Sequence, residues 1–400
     1  MSELGYMNKL LDGAEVEWKL LAEVGEFQRG KRFVKTDMIS EGVPCIHYGE
    51  MYTHYGIWAK TSKSFVTKEL ASKLRVAEYG DVVIVAAGET IEDIGKGTAW
   101  LGDSSVVIHD ACFSYKSLLN PKYVSYFLKT KIFHDQIKPY ISSGKISAIN
   151  AKGLGKAKIP IPSATVQAEI VRILDAFTEL TAELTAELTA ELVARKQQYT
   201  YYRNQLLTFN DDEIQWKSLG ELATLRRGRV MSKGYLVDNV GSYPVYSSQT
   251  ANNGEIGSIS TFDFEGEYVN WTTDGANAGT VFYRTGKFSI TNVSGLIKIN
   301  DTLRLNYKYL FYWLSIEAKK HVNSGMGNPK LMSNQVAKIL IPIPSLSKQK
   351  IIVAILDKLE ALSTSLTEGL PREIELRQQQ YEYYRELLLN FPKPEVANHD

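Results

Sequence analysis

Apolar and polar positions along the chain follow two rhythms, and each rhythm occurs twice. In the first, apolar side chains fall at Ile170, Ile173, Phe177, Leu180 and Leu184, the alternating three- and four-residue spacing of a coiled-coil seam. The spacing returns at Ile352, Ile355, Leu359, Leu362 and Leu366. Three tandem copies of Thr-Ala-Glu-Leu at 181–192 then step Leu184, Leu188 and Leu192 by four, which locally unwinds a left-handed supercoil. This helix is predicted to continue through Tyr199, Tyr202 and Leu206 to about Phe209, a rod of roughly 60 Å at ~1.5 Å per residue. Gly369 and Pro371 predict an interruption in the second helix. The other rhythm is that of short β-rich runs bounded by glycines, such as Asp81–Val85 and Glu267–Trp271. Turn clusters lie at Gly88–Gly97 and Thr273–Gly279. Each of these mixed blocks ends in an aromatic amphipathic stretch, Tyr123–Leu128 or Tyr309–Leu314, read as core.

The helical blocks are copies of one another. Residues 159–209 begin IPIPSATVQAEIVRILDAF and end RKQQYTYYRNQLLTF; residues 341–391 begin IPIPSLSKQKIIVAILDKL and end RQQQYEYYRELLLNF. The offset is 182 throughout and needs no gap. A fainter echo precedes each mixed block: Glu15-Val16-Glu17-Trp18-Lys19 returns as Glu213-Ile214-Gln215-Trp216-Lys217. Each echo is followed by an Arg-Gly pair, Arg29-Gly30 or Arg227-Gly228, that opens a basic loop. Between echo and helix the two halves diverge almost completely. The expected fold is therefore α+β: two mixed α/β domains separated by two long coiled-coil helices, a pseudo-twofold tandem duplication. Its parts are 1–158, the first variable domain; 159–214, the central shared helix; 215–340, the second variable domain; and 341–400, the distal shared helix.

Charge changes the picture. The net +1 averages +3 over 1–158, −5 over 159–214, +5 over 215–340 and −2 over 341–400. The variable domains are basic and the helical blocks acidic, so a polyanion suits the first and not the second. Cys45 and Cys112 are too few for a disulfide framework and read as buried free thiols. No apolar run reaches 18 residues, and MSELGYMNKLLDG lacks the pattern of a signal peptide, so a cytoplasmic protein without membrane contact is expected.

Catalytic and metal residues are not found. None of the five Gly-Lys pairs precedes Ser or Thr, which excludes a P-loop. Gly153-Leu154-Gly155 lacks the third glycine of a dinucleotide fingerprint. Asn120-Pro121 and Asn328-Pro329 continue into Lys, not into the Pro-aromatic end of an adenine-methylating tetrad. His47 and His54 have no partners at zinc spacing. No cofactor is expected in this chain.

Duplicated heads on rigid helices suit a ligand with two separated sites, and duplex DNA offers base edges and phosphates at fixed intervals. One Thr-Ala-Glu-Leu adds ~6 Å and about 40° of helix rotation. A base pair adds ~3.4 Å and roughly 35°. The repeated IPIP–helix–QYxYYRxxLL blocks, the Thr-Ala-Glu-Leu array and the two variable domains resemble the specificity subunit of type I restriction–modification enzymes, over nearly the whole chain; the array resembles that of the IC subfamily. The resemblance implies a non-catalytic, DNA-binding subunit whose variable domains each recognise one half of an asymmetric bipartite target. It implies target-recognition domains held apart by long helices that lie antiparallel and dock two methyltransferase subunits, which carry S-adenosylmethionine, and restriction (nuclease-translocase) subunits that use ATP and magnesium. It also implies that array copy number tunes the unread gap.

Chemistry selects the candidate DNA contacts: Arg and Lys for guanine edges and phosphates, Asn and Gln for adenine, Tyr and Ser as supporting donors. They are Arg29, Lys31, Arg32, Tyr48 and Lys145 in the first half. In the second they are Arg227, Arg229, Ser247, Ser248, Gln249, Asn252, Asn253, Asn328 and Lys330. Tyr199, Tyr202, Arg203, Tyr381, Tyr384 and Arg385 are the candidate partner contacts. The rival reading is a two-headed coiled-coil scaffold that reads no DNA; it leaves the basic heads unexplained. Deleting residues 189–192, one array copy, should shorten the unread gap by about one base pair and leave both half-sites unchanged. The methylated motif checks this, and a changed half-site counts against a ruler.

Overall fold

A computed structural model describes residue 11 and residues 14–210, 214–324, 327–364 and 369–391. The repeated Ile-Pro-Ile-Pro segments are strands, since proline lacks the N–H that a helix interior needs. Lys158–Ile161 pairs antiparallel with Glu17–Leu20, and Leu340–Ile343 with Gln215–Ser218. Trp18 lies opposite Pro160 and Trp216 opposite Pro342, so each faint sequence echo is the strand that receives the repeated motif.

A helix follows each motif. Ala164–Leu206 is a continuous helix of 43 residues. The distal block forms two helices, Leu346–Thr364 and Leu370–Leu389. Pro371 falls in the first turn of the latter, where its missing N–H has no intrahelical partner to lose. Leu366 of the predicted seam lies outside the described residues. Among the described residues no helix is long and apolar enough to cross a membrane.

The chain divides into two compact units, Met1–Glu187 with Ile374–Asp400, and Leu188–Glu373. In unit 1, Ile170 and Leu174 share a core with Leu388, Leu389 and Phe391. The Thr178 and Tyr381 hydroxyls are 3.0 Å apart and the Phe177 and Tyr384 rings 5.3 Å, so the two helical segments run antiparallel. In unit 2, Ile352 and Leu356 share a core with Leu207 in the equivalent way. Each unit therefore combines the head of one helical block with the tail of the other. The buried stripe differs from the predicted seam: Leu180, Ile355 and Leu362 are 51%, 38% and 47% exposed, whereas Ile170, Leu174, Ile352 and Leu356 are buried. The first turns of each block bury the face turned to a sheet-rich domain, so the four-residue steps 170–174 and 352–356 carry the packing.

Unit 1 contains a five-stranded sheet in the order Gly25–Arg29, Cys112–Ser117, Val82–Val85, Gly97–Trp100, Trp58–Ala59. Beside it stands a four-stranded sheet ordered Ser64–Val66, Val43–Ile46, Val106–Ile108, Val76–Ala77. Unit 2 has one six-stranded sheet: Ala223–Arg227, Ser294–Ile299, Phe264–Thr272, Val281–Ile290, Val240–Tyr246, Glu255–Ile259. One parallel pairing recurs: Ile46 with Ile108 in unit 1 and Tyr246 with Ile290 in unit 2.

Each aromatic stretch is a helix, Pro121–Phe127 or Tyr307–Glu317, capped by the side chain of Asn120 or Asn306. Its polar atoms fasten it to the shared block. Lys122 and Tyr126 both reach Asp175, at 2.7 and 2.9 Å; Lys308 and Tyr312 both reach Asp357, at 2.6 Å each. Tyr123 donates to the Pro160 carbonyl and Tyr309 to that of Pro342. Gln167 and Gln349 are buried at this junction, and every end of each amide is used. Gln349 accepts from the Asn306 N–H at 2.9 Å and donates to the Arg304 and Pro344 carbonyls at 2.9 Å each. Gln349→Leu leaves that N–H and two carbonyls unpaired, so a loss of about 2–3 kcal/mol is expected for unit 2. Chemical denaturation checks it, and an unshifted midpoint counts against the junction's role.

Candidate nucleic-acid interface

The basic loop of unit 1 leaves the end of strand Gly25–Arg29, and the end of Val43–Ile46 lies beside it. Between them opens a cleft of about 780 Å³, lined by Arg29, Arg32, Lys35, Tyr48 and Lys145 together with His47, His109, Glu89 and Asp110. Four of the five residues chosen from the first half thus converge. Lys31 is the exception: it does not line the cleft, and its ammonium donates to the Lys73 carbonyl at 2.9 Å. Arg29 lines the wall with its Nε donating to the Asp110 carbonyl at 2.8 Å. Arg32, Lys35 and Lys145 are exposed, and among the described residues no carboxylate pairs with them. Such cations at a cleft mouth attract an anionic backbone.

The floor was not foreseen. His47 and His109 are buried, with ring centroids 4.6 Å apart; Tyr48 lies 4.6 Å from the first ring and 5.2 Å from the second. Phe33 closes the cluster from behind, 5.2 Å from His109. Burial lowers both imidazole pKa values, and the positive charge of His109 adds to the effect at His47; Asp110 opposes it at His109. Both Nδ1 atoms accept backbone N–H bonds, from Gly49 and Ala111. His54 stands apart, edge-on to Tyr55. The 61 residues between His47 and His109 leave no local signal of their meeting.

Unit 2 assembles its candidates on the same frame. Arg227 donates from Nε to the Asn292 carbonyl at 3.1 Å and lies 3.5 Å from Asp274, which Lys330 approaches at 3.9 Å. Arg229 pairs with Asp263 at 3.0 Å and stacks on Tyr235. The Ser247 hydroxyl is 2.9 Å from that of Thr291, the Ser248 carbonyl accepts from Asn277, and Gln249 is tied to the Glu255 carbonyl. Asn252 and Asn253 take left-handed backbone angles, φ 47° and 51°, which asparagine tolerates, and their side chains are exposed. Asn328 is exposed; Gly325 and Met326 of its loop lie outside the described residues. Sequence reading also missed Arg284, which is 2% exposed beneath this loop. Its guanidinium packs between Tyr246 at 3.6 Å and Phe282 at 4.4 Å and holds the Asn253 carbonyl at 2.7 Å. Burial pushes its pKa down to about 10.

Residues 14–194 and 211–376 match the type I restriction modification DNA specificity domain. The chain is 34% identical to the type I restriction enzyme EcoR124I/EcoR124II specificity subunit of Escherichia coli, covering 100% of both chains. This chain belongs to the type I restriction–modification specificity-subunit family. A putative type I restriction enzyme specificity subunit of Haemophilus influenzae is also 34% identical, over 96% of this chain and 98% of its own. In fold, the specificity subunit is similar to a chain from a study of complex assembly and conformational transition of the type I R-M system. The TM-score there is 0.68 at 14% identity, over 94% of this chain and 98% of that one. It is also similar to the HsdS subunit of Thermoanaerobacter tengcongensis, with a TM-score of 0.56 at 14% identity over 94% and 96%.

The candidate partner residues of this specificity subunit separate by burial. Tyr199 and Tyr381 are half-buried, and each carries the guanidinium of its neighbour, Arg203 or Arg385, over its ring. In both arginines the Nε is buried and has no hydrogen-bond partner among the described residues. Tyr384 packs on Phe177, whereas its copy Tyr202 is 40% exposed. Tyr201 and Tyr383, 58% and 49% exposed, were not singled out from the sequence. Arg385 also lines a hollow of about 490 Å³ with Lys129, Lys131, His134 and Lys138. Burial and the Arg385 charge lower the Lys129 pKa to about 8.

Three histidines of unit 1, His47, His109 and His134, have lowered pKa values, burial being the first cause in each. The unfolded chain takes up protons near pH ~6.5 that the folded unit refuses, so this stability is complete above that value and is lost as pH falls below it. From about pH 7.5 to about pH 5.5, amide protection factors, corrected for the intrinsic pH dependence of exchange, should therefore fall more in unit 1 than in unit 2. An equal fall in both units counts against it.

Proposed function

We propose that this specificity subunit reads duplex DNA as an asymmetric pair of half-sites, unit 1 reading one and unit 2 the other. The observation that carries the reading is a shared frame furnished unlike in its two copies. At corresponding ends of the parallel strands stand His47 and Tyr48 in unit 1, but Ser247 and Ser248 in unit 2. Phosphates fit the unpaired cations Arg32, Lys35 and Lys145 at the unit 1 cleft, and base edges fit the polar groups behind them. The exposed Asn252 and Asn253 suit adenine in the other unit.

The shared helices carry the remaining role in this reading. Their exposed aromatics Tyr201, Tyr202 and Tyr383 and the half-buried Arg203 and Arg385 fit the docking of two methyltransferase subunits. Restriction subunits join that core. Methyl transfer from S-adenosylmethionine and ATP- and magnesium-dependent cleavage then belong to the partners, and this chain contributes the address. The Thr-Ala-Glu-Leu array sets the unread interval, as in the IC-like subunits it resembles.

Single-molecule sequencing of DNA from cells that express the chain with a cognate methyltransferase subunit tests the reading. A bipartite motif with N6-methyladenine in each half is expected; an assembled complex that adds no methylation points to the scaffold instead. In purified complex, Arg32→Ala combined with Lys145→Ala should weaken binding and reduce the slope of log K against log salt by about 2. Titrations at several salt concentrations check this, and an unchanged slope removes both residues from the interface.

A further inference from the structure

Not every residue near the strand ends can tell one half-site from another. Arg29-Gly30 and Arg227-Gly228 hold the same turn in both units. Gly30 N–H donates to the Cys112 carbonyl and Gly228 N–H to that of Ser294, at 2.9 and 3.3 Å. A Cβ on Gly30 falls 2.2 Å from the His109 carbonyl oxygen, and one on Gly228 falls 2.1 Å from that of Ile290, so only glycine fits. Both arginines spend Nε on equivalent carbonyls, Asp110 and Asn292. A feature identical in the two units cannot discriminate two different sequences.

What differs stands one residue further on. The parallel strands pair Ile46 with Ile108 and Tyr246 with Ile290, so the first residues beyond them are His47 and His109 in unit 1 and Ser247 and Thr291 in unit 2. In open parallel sheets ligands bind beyond the carboxyl ends of the strands; here one parallel pair within a mainly antiparallel sheet supplies such an end in each unit. Unit 1 fills the position with two imidazoles 4.6 Å apart, roofed by Tyr48. Unit 2 fills it with two hydroxyls 2.9 Å apart beside Ser248. The first pair offers flat, bulky ring edges; the second offers small groups that both donate and accept.

We infer that the pairs His47/His109 and Ser247/Thr291 are the specificity-determining positions of their units: with His47, His109 and Thr291 only 5%, 9% and 4% exposed, they act from the floor, setting the shape and polarity of the surface against which base edges of duplex DNA are sorted. Arg29 and Arg227 then act as positioning residues, and the rim cations hold phosphate. This rests on the reading of the chain as a DNA specificity subunit.

The test exchanges the pairs in the full chain, co-expressed with a methyltransferase subunit. His47→Ser with His109→Thr should alter or relax one half of the methylated motif, and Ser247→His with Thr291→His the other half. Methylation of the original sequence should fall about 10-fold or more, the effect of losing one good base contact. Since ring removal loosens the unit 1 core, His47→Gln and Ser247→Ala are read beside the exchanges and should shift the same halves. Retention of the original motif at the original rate in all four variants overturns the inference and leaves the bipartite reading standing. Failure of the unaltered chain to direct any bipartite methylation, in an assembled complex, overturns the reading beneath it.

Discussion

The buried amide at the foot of each aromatic helix is the contact on which the rest of the arrangement depends. Gln167 and Gln349 stand where three chain segments meet, and each uses its oxygen on the N–H of the capping asparagine and its nitrogen on backbone carbonyls. A buried amide tolerates one orientation, because any other leaves donors facing donors. Asp175 and Asp357 then fix the same helix a turn or two further along by paired bonds from Lys and Tyr. Hydrophobic burial alone would permit sliding between head and helix. The polar pins do not, so within each unit the strand ends keep a set direction relative to the shared helix.

That rigidity lets the strand ends vary. The turn at Arg-Gly is defined by backbone hydrogen bonds and by the lack of a Cβ, so side chains one position beyond the neighbouring parallel strands can change without moving the frame. Unit 1 answers with a ring cluster and unit 2 with hydroxyls and a polar loop braced from below by Arg284. The brace is a cation with no ion-pair partner among the described residues, kept in place by two aromatic faces and a carbonyl. Such a group costs solvation, and its hold on the Asn253 carbonyl ties down the loop of left-handed asparagines.

Much of this was legible because duplication writes structure twice. The 182-residue offset located both shared helices, and Gly369 with Pro371 located the break in the second. Loop chemistry brought Arg29, Arg32, Tyr48 and Lys145 to one cleft, since basic and polar residues after a strand gather where strands end. Three things were not legible. The phase of the buried stripe, which leaves Leu180 and Leu362 outside, depends on which neighbour the helix meets first. Lys31 is indistinguishable from Arg32 by composition, and only the position of the Lys73 carbonyl separates them. His109 and Arg284 read as ordinary strand-end and strand residues, and their roles arise from partners dozens of positions away.

The division of the helical blocks between units bears on the order in which the protein is made. Unit 2 is one unbroken stretch, Leu188–Glu373, while unit 1 needs its last segment, from Ile374 onward, returned to its beginning. Leu388, Leu389 and Phe391 are buried in the core that also contains Ile170 and Leu174, so that core stays open until the distal helical block has been made. Synthesis at about 5–20 residues per second leaves the earlier-made domain waiting on the order of 10 seconds or more for its final wall. The half of the molecule translated first is therefore the half completed last.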